Sequence, residues 1–284
     1  MQQQKQVKKT FLIYNRAWSG TREYRLKFLD LILRLGLENC CQTTVSPVEP
    51  ELGIHYEMHK FENSVWRPSH VLENFFPGNT ADSHSSANFN IDDYHATDIE
   101  VVLETLFDDD RLHLTEKTLR PIACAQPFIL TGTHGSLEYL RSYGFKTFES
   151  IWDEGYDLIK DPEERLIEIA ELMRHIANWD SQTRERNITQ AQAIAEYNKN
   201  LFFSKEFFNL IVSELRDNLM QAFEISEKTN TFNDFVDTWT QLLNYKEIQD
   251  YLLSPVDALD TEMFTRLLEF AKLKQSNTMS SNSL

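Results

Sequence analysis

Residues 104–132, read as ETLFDDDRLHLTEKTLRPIACAQPFILTG, gather the side chains that could do chemistry. Thr115, Glu116, Lys117 and Thr118 open a helix there. Thr115 suits the N-cap, where its hydroxyl accepts one of the unpaired amide hydrogens of the first turn. Pro121 still lies close enough to the helix start to do limited damage to the hydrogen-bond ladder. Lys117 is out of place, because a cation in the first turn faces the positive end of the macrodipole unless an anion is shared there. Free amides, a hydroxyl and a lysine at one helix N-terminus make a phosphate site. Glu116 beside them can accept hydrogen bonds from a ribose or sugar hydroxyl. Together these residues point to a nucleotide-sugar donor, with Glu104 at the end of the preceding strand.

Transfer of a sugar from such a donor needs two further things. The acceptor hydroxyl needs a base, since an alcohol is a poor nucleophile until its proton is being removed. Asp92, Asp93 and His95, just before the strand that leads to Glu104, are the first candidates; Glu57 with His55 or His59 is another set. The leaving diphosphate needs charge stabilisation, which Lys117 and the helix amides can supply without metal. Arg120 either assists or forms a salt bridge one turn into the helix. Arg16, after the first strand, is a further phosphate or acceptor contact. His134, in the turn after Gly132, either bonds a phosphate or sugar or sits at the surface. The run Asp108-Asp109-Asp110 reads as a polar strand-to-helix loop, with no second ligand cluster to make it a metal site.

These residues need a sheet to hold them. Residues 9–15 (KTFLIYN) read as a first strand, and 22–35 as a helix with Leu26, Leu29, Ile32 and Leu33 at helical spacing and Gly36 as its stop. Residues 43–94 are broken by Pro47, Pro50, Pro68 and Pro77, and a mobile loop is expected near 79–90. Regularity returns with a strand at 98–106, then the helix after Thr115, then a strand at 127–132. Ser136 is placed to cap a helix at 137–143 that closes at Gly144. Alternation of strand and helix implies a parallel sheet with ligands beyond the carboxyl ends of its strands. From Pro162 onward the pattern is helical, with stretches at 191–197, 205–223, 232–243 and 261–273 and a disordered tail after 275.

The expected fold class is therefore α/β, with Rossmann-like parallel units and a mainly helical C-terminal region. The expected division is 1–95 as an acceptor-side α/β region, 96–160 as the nucleotide-sugar region, 161–275 as helical and 276–284 as tail. At 284 residues, 41% apolar and 25% charged, the chain has ordinary globular composition. The net charge of −16 excludes a nonspecific binder of phosphate backbones, yet Arg16, Arg22, Arg25 and Lys27 could form a local basic cleft. Three cysteines, two of them adjacent, give no disulfide framework and suit a reducing compartment. Neither a membrane span nor a secretory signal is read in the sequence, so a cytoplasmic location is expected.

The string TEKT-x-x-PI…QPFI…G, continuing through Gly135, Leu137, Leu140, Arg141, Gly144, Phe145, Thr147 and Phe148 to Trp152-Asp153-Glu154 and Tyr156-Asp157, resembles a group of phage and bacterial glycosyltransferase-like proteins. It is also similar to the donor-binding segment of the fucosyltransferase-type enzymes of the GT-B class. The resemblance is fullest over 98–165 and weaker over 9–40. It implies that Glu116 and Lys117 contact nucleotide and diphosphate, with Glu104 nearby, and that transfer inverts the anomeric centre. No cofactor beyond the sugar nucleotide is implied. The acceptor is a glycan or protein, or a hydroxymethylated DNA base if the chain acts in a phage-infected host cytoplasm. Thr105 stands where the fucosyltransferases have Asn, which departs from a fucose donor. The reading of a different kind is a noncatalytic nucleotide-binding or interaction scaffold.

Overall fold

The computed structural model describes residues 9–44, 47–61, 66–70, 72 and 89–229. Within them four strands, β1 (Lys9–Tyr14), β2 (Cys41–Thr44), β3 (Thr97–Leu103) and β4 (Phe128–Thr131), form one parallel sheet in the order β2-β1-β3-β4. β1 passes through helix α1 (Tyr24–Arg34) to β2, and β3 passes through α3 (Glu116–Ala123) to β4. The two crossovers step in opposite directions from the centre. Because such connections are right-handed, α1 and α3 cover opposite faces of the sheet. The chain reverses its winding between β1 and β3, and that junction is the topological switch point.

The two faces differ in chemistry. Phe11, Ile13, Ile99, Val101, Leu103 and Ile129 join Leu26, Leu29, Ile32 and Leu33 of α1 in the main apolar core. Helix α5 (Pro162–Ala177) packs against α1 and β4 and adds Leu166, Ile169, Met173 and Ile176 to the same core. The opposite face of β3 carries Asp98 and Glu100, with Glu104 next in the alternation just past the strand's end, all buried. Each acid there is matched by a helix packed on that face. Arg184 of α6 (Ser181–Phe202) bonds Asp98, Arg120 of α3 and Tyr94 of the short α2 (Ile91–Ala96) bond Glu100, and the start of α3 bonds Glu104. A strand reading DIEVVLE is thus apolar toward one layer of helices and acidic toward the other.

The predicted strands and the helix at 22–35 are present within a few residues of their expected bounds, and the helix expected after Thr115 runs over Glu116–Ala123. Gly36 takes the left-handed conformation at φ 67° after α1, as a helix stop requires. β2 lies where the sequence was read as irregular, because its four residues CQTT alternate weakly and end next to the proline-broken stretch. The cap of α4 (Ser136–Ser142) also differs from expectation. Gly135 occupies the N-cap in the left-handed region, Ser136 Oγ donates to the Thr133 carbonyl, and the Asp157 carboxylate accepts from Leu137 N at 3.1 Å. The acid that holds this helix start comes from twenty residues downstream, so local spacing could not reveal it.

The chain divides into two compact units, Met1–Phe208 and Asn209–Leu284. The sheet draws two strands from residues 1–95 and two from 96–160, and β1 and β3 join them by hydrogen bonds. α5, α6 and α7 (Lys205–Thr229) occupy the region expected to be helical. Residues 79–88 of the loop expected near 79–90, the helices expected at 232–243 and 261–273, and the tail lie outside the described residues. Among the described residues no helix is long and apolar enough to cross a membrane.

Candidate functional site

Glu104 follows the last residue of β3, and its side chain is fully buried at the start of α3. One carboxylate oxygen accepts from Thr115 N at 3.0 Å and from Thr118 Oγ1 at 2.6 Å; the other accepts from Thr115 Oγ1 at 2.7 Å and from Thr105 N at 3.2 Å. Thr115 is the N-cap, its Oγ1 accepting from Lys117 N at 3.3 Å. The predicted cap is therefore present, and the anion that the helix start requires is supplied by the chain itself. Glu104 is a clamp between strand and helix, with all its lone pairs engaged by neighbours.

Lys117 folds back over this clamp. Its Nζ donates to Glu116 Oε1 at 2.9 Å, Thr105 Oγ1 at 3.2 Å and Thr115 Oγ1 at 3.3 Å. Only 15% of its side-chain surface is exposed, against 41% for Glu116. An ion pair open to water on one side contributes little, so the ammonium can exchange Glu116 for a stronger anion without moving far. The macrodipole conflict noted in the sequence is resolved by two carboxylates, one buried beneath Lys117 and one at the rim.

The backbone around the switch point is held by two buried arginines that bind carbonyls. Arg25 of α1 donates to Ala17 O at 2.6 Å, Leu103 O at 2.8 Å and Glu104 O at 3.0 Å, and Tyr24 Oη donates to the same Glu104 carbonyl at 2.5 Å. These bonds tie the loop after β1 to the end of β3. Arg165 of α5 does the same for β3 and β4. It donates to Gly132 O at 3.2 Å, Ile159 O at 2.7 Å, Lys160 O at 3.1 Å and Phe107 O, and its guanidinium lies 4.4 Å from the Phe107 ring centre. Burial holds the Arg165 pKa below the ordinary guanidinium value. The carboxyl edge of the sheet is a rigid rim, as a preorganised site requires.

Several predicted residues lie in the loops along that edge. Arg16 is half-buried in the loop after β1. Its charge, with that of Arg25, helps the hydrogen-bonded Arg22 to hold the Glu51 carboxyl below its ordinary value. No hydrogen bond or ion pair of Arg16 occurs among the described residues. The expected basic cleft reduces to this one cation, because Arg22 pairs with Glu51, Arg25 is buried on carbonyls and Lys27 pairs with Glu163. Gly132 lies beside the clamp: a Cβ there would come within 3.8 Å of Glu104 Cβ and 3.0 Å of Ser136 Oγ. His134 is half-buried in the turn after β4.

Other predicted residues lie elsewhere. Arg120 is buried against Glu100, donates to its carboxylate and to Tyr94 Oη at 3.0 Å, and lies 4.5 Å from the Tyr14 ring centre. Of the two roles left open by the sequence, the salt bridge is the one observed. Burial raises the Glu100 pKa, and Arg120 and Tyr94 pull it back only in part. Asp93 spends one oxygen on Tyr14 Oη at 2.7 Å and the other on Gln42 Nε2. Asp92 is exposed and His95 half-buried on the same six-residue helix. That helix meets β3 at Glu100, four residues before Glu104, which is about 13 Å of strand. Asp93 is tied to Tyr14, the last residue of β1, and among the described residues none of Asp92, Asp93 and His95 bonds Glu104, Thr115 or Lys117. In the Asp108–Asp110 run, Arg111 binds Asp109 through both its side chain and its amide and pulls its pKa down to about 2.

Reading the sequence missed Glu23, Tyr24 and Arg165, and it placed Arg25 in a basic cleft and Asp157 in the resembling string without the roles they have here. All five act over long sequence separations, and a lone buried arginine has no spacing signal. Among the described residues no group of three or more His, Cys, Asp or Glu is arranged to hold a metal. Comparison with protein-family models, with curated proteins and with solved structures finds no match for this chain.

Proposed function

We propose that the chain is a glycosyltransferase that binds a nucleoside diphosphate sugar at the carboxyl edge of the sheet, between β1 and β3. The observation that carries this reading is the switch point itself. Arg16 from one side and Lys117 from the other are the cations on a rim whose backbone is locked by Arg25 and Arg165. Ligands of open parallel sheets bind at such a junction. Lys117 and Arg16 neutralise the diphosphate as the glycosidic bond breaks, and preorganised charge of this kind is the main source of catalysis in such transfers. Glu116, freed from Lys117, accepts from a sugar or ribose hydroxyl; Thr115 and Thr118 keep the helix start in register. Gly132 and His134 bound the site on the β4 side. In this reading the transfer uses no metal, and the region serves as a GT-B-like donor domain.

The acceptor hydroxyl belongs to a glycan, a protein or a hydroxymethylated DNA base, the last in a phage setting. Retention on duplex DNA at low salt, lost at moderate salt, distinguishes the DNA acceptor. One observation favours a second reading. The Glu104 carboxylate fills the helix start where a phosphate was expected, as it would in a scaffold whose nucleotide site has decayed.

A thermal-shift panel of UDP-, GDP- and dTDP-sugars separates the two readings, since a ligand of the native state raises its melting temperature by mass action. At least one sugar nucleotide is expected to stabilise the protein. In the Lys117→Ala variant that shift is expected to disappear, with affinity falling at least tenfold while the unliganded melting temperature stays within a few degrees. No shift with any donor would leave the scaffold reading standing.

A further inference from the structure

We infer that His59, oriented by Glu23, is the base that takes the proton from the acceptor hydroxyl; this rests on the glycosyltransferase reading above. His59 Nε2 lies 2.6 Å from Glu23 Oε1, and both side chains are nearly enclosed, at 11% and 10% exposure. A carboxylate only accepts, so Nε2 carries the ring proton and Nδ1 presents a lone pair. Among the described residues Nδ1 makes no hydrogen bond. The ring is fixed edge-on against Trp18, centroids 5.2 Å apart, and against Phe61 at 4.8 Å. Position, tautomer and orientation are therefore set before any acceptor arrives, which is the arrangement a general base needs.

Its place in the fold supports the same role. Glu23 is the N-cap residue of α1, yet its side chain makes no capping bond to the helix. The carboxylate is turned to His59 instead. Tyr24 and Arg25, the next two residues, bind the Glu104 carbonyl, and Trp18 adjoins Ala17, whose carbonyl Arg25 also holds. The dyad thus stands on the carboxyl edge, linked through Arg25 to the strand end that carries Lys117's partner Thr105. In the competing pair, 3.6 Å apart, His55 is half-buried and stacked on Tyr56 and Glu57 is exposed.

In the step assigned here, a lone pair of the acceptor oxygen forms a bond to the anomeric carbon as the bond from that carbon to the β-phosphate oxygen breaks. The electron pair of the broken bond leaves on the nucleoside diphosphate. The acceptor proton passes to His59 Nδ1, and Glu23 stabilises the imidazolium. Glu23 is a positioning residue.

The test uses the full chain and water as acceptor, with whichever UDP-, GDP- or dTDP-sugar gives the largest thermal shift. Nucleoside diphosphate release is expected to fall at least 100-fold in His59→Ala with the donor Kd unchanged. Added imidazole is expected to restore part of the rate, and Glu23→Gln to give an intermediate loss that Glu23→Asp partly recovers. His59→Gln serves as a second variant should His59→Ala melt early. Wild-type release by a folded His59 variant, or a wild-type protein that binds donor without releasing diphosphate, overturns the dyad and leaves the donor site intact. Absence of any sugar-nucleotide binding by the wild type overturns the donor site, and the base with it.

Discussion

Replacing Arg120 with Leu is expected to destabilise the protein by about 3–5 kcal/mol near neutral pH, the usual result of stripping one partner from a buried ion pair. Arg120 is the cation bonded to Glu100, which is fully enclosed and whose carboxylate has Tyr94 as its only other hydrogen-bond partner among the described residues. The loss carries a pH signature. The Glu100 carboxyl has a folded-state pKa raised by burial. A raised value favours the folded state below the ordinary carboxylate pKa and loses that contribution as pH rises through the folded value. Removing Arg120 moves the value further up, so the deficit is small near pH 5 and grows toward pH 8. Urea unfolding at the two pH values measures it. Glu100→Leu added to Arg120→Leu is expected to recover about 2 kcal/mol or more, because two apolar groups need no charge partner. A deficit that is equal at both pH values would show that Glu100 is not the group left behind.

Glu104→Ala is the second large effect, expected at about 3 kcal/mol. A charge-assisted hydrogen bond contributes about 1.5–3 kcal/mol, and the bonds of one carboxylate are not additive. Four donors lose their acceptor at once: the amides of Thr105 and Thr115 and the hydroxyls of Thr115 and Thr118. Because they belong to the end of β3 and the first turn of α3, the loosening is expected to be local as well as global. Amide exchange over residues 104–118 is expected to accelerate more than that over β1. Glu104→Gln, which keeps the shape and one acceptor, is expected to lose about half as much. A change below about 1 kcal/mol in Glu104→Ala would mean that Thr115 caps α3 unaided.

The parts of this molecule that could be read from sequence are those whose signal is local. Thr115 before Glu-Lys-Thr marks a helix start, and the β-branched run IEVV marks a buried strand. Gly36 after an apolar helix face marks a stop. The alternation of acids in DIEVVLE was equally visible, but its meaning was not, because Asp98, Glu100 and Glu104 are matched by Arg184, Arg120 and the α3 start. Such pairing depends on which helix crosses which face. The same reason hid the role of Asp157, which caps a helix twenty residues upstream. It also placed His59 beside Glu23 rather than beside its sequence neighbour Glu57. β2 was missed because four residues with two threonines and a glutamine carry almost no hydrophobic alternation.

The donor site at the switch point is tested most directly by amide hydrogen exchange of the full chain, free and saturated with the best-stabilising sugar nucleotide. Slowing is expected at residues 15–18, 104–106 and 115–118, the loop after β1, the end of β3 and the start of α3. A footprint confined to the amino edge, where Lys9, Asp98 and Arg184 line a groove of about 670 Å³, would contradict that placement. So would a ligand that leaves all three carboxyl-edge segments unchanged.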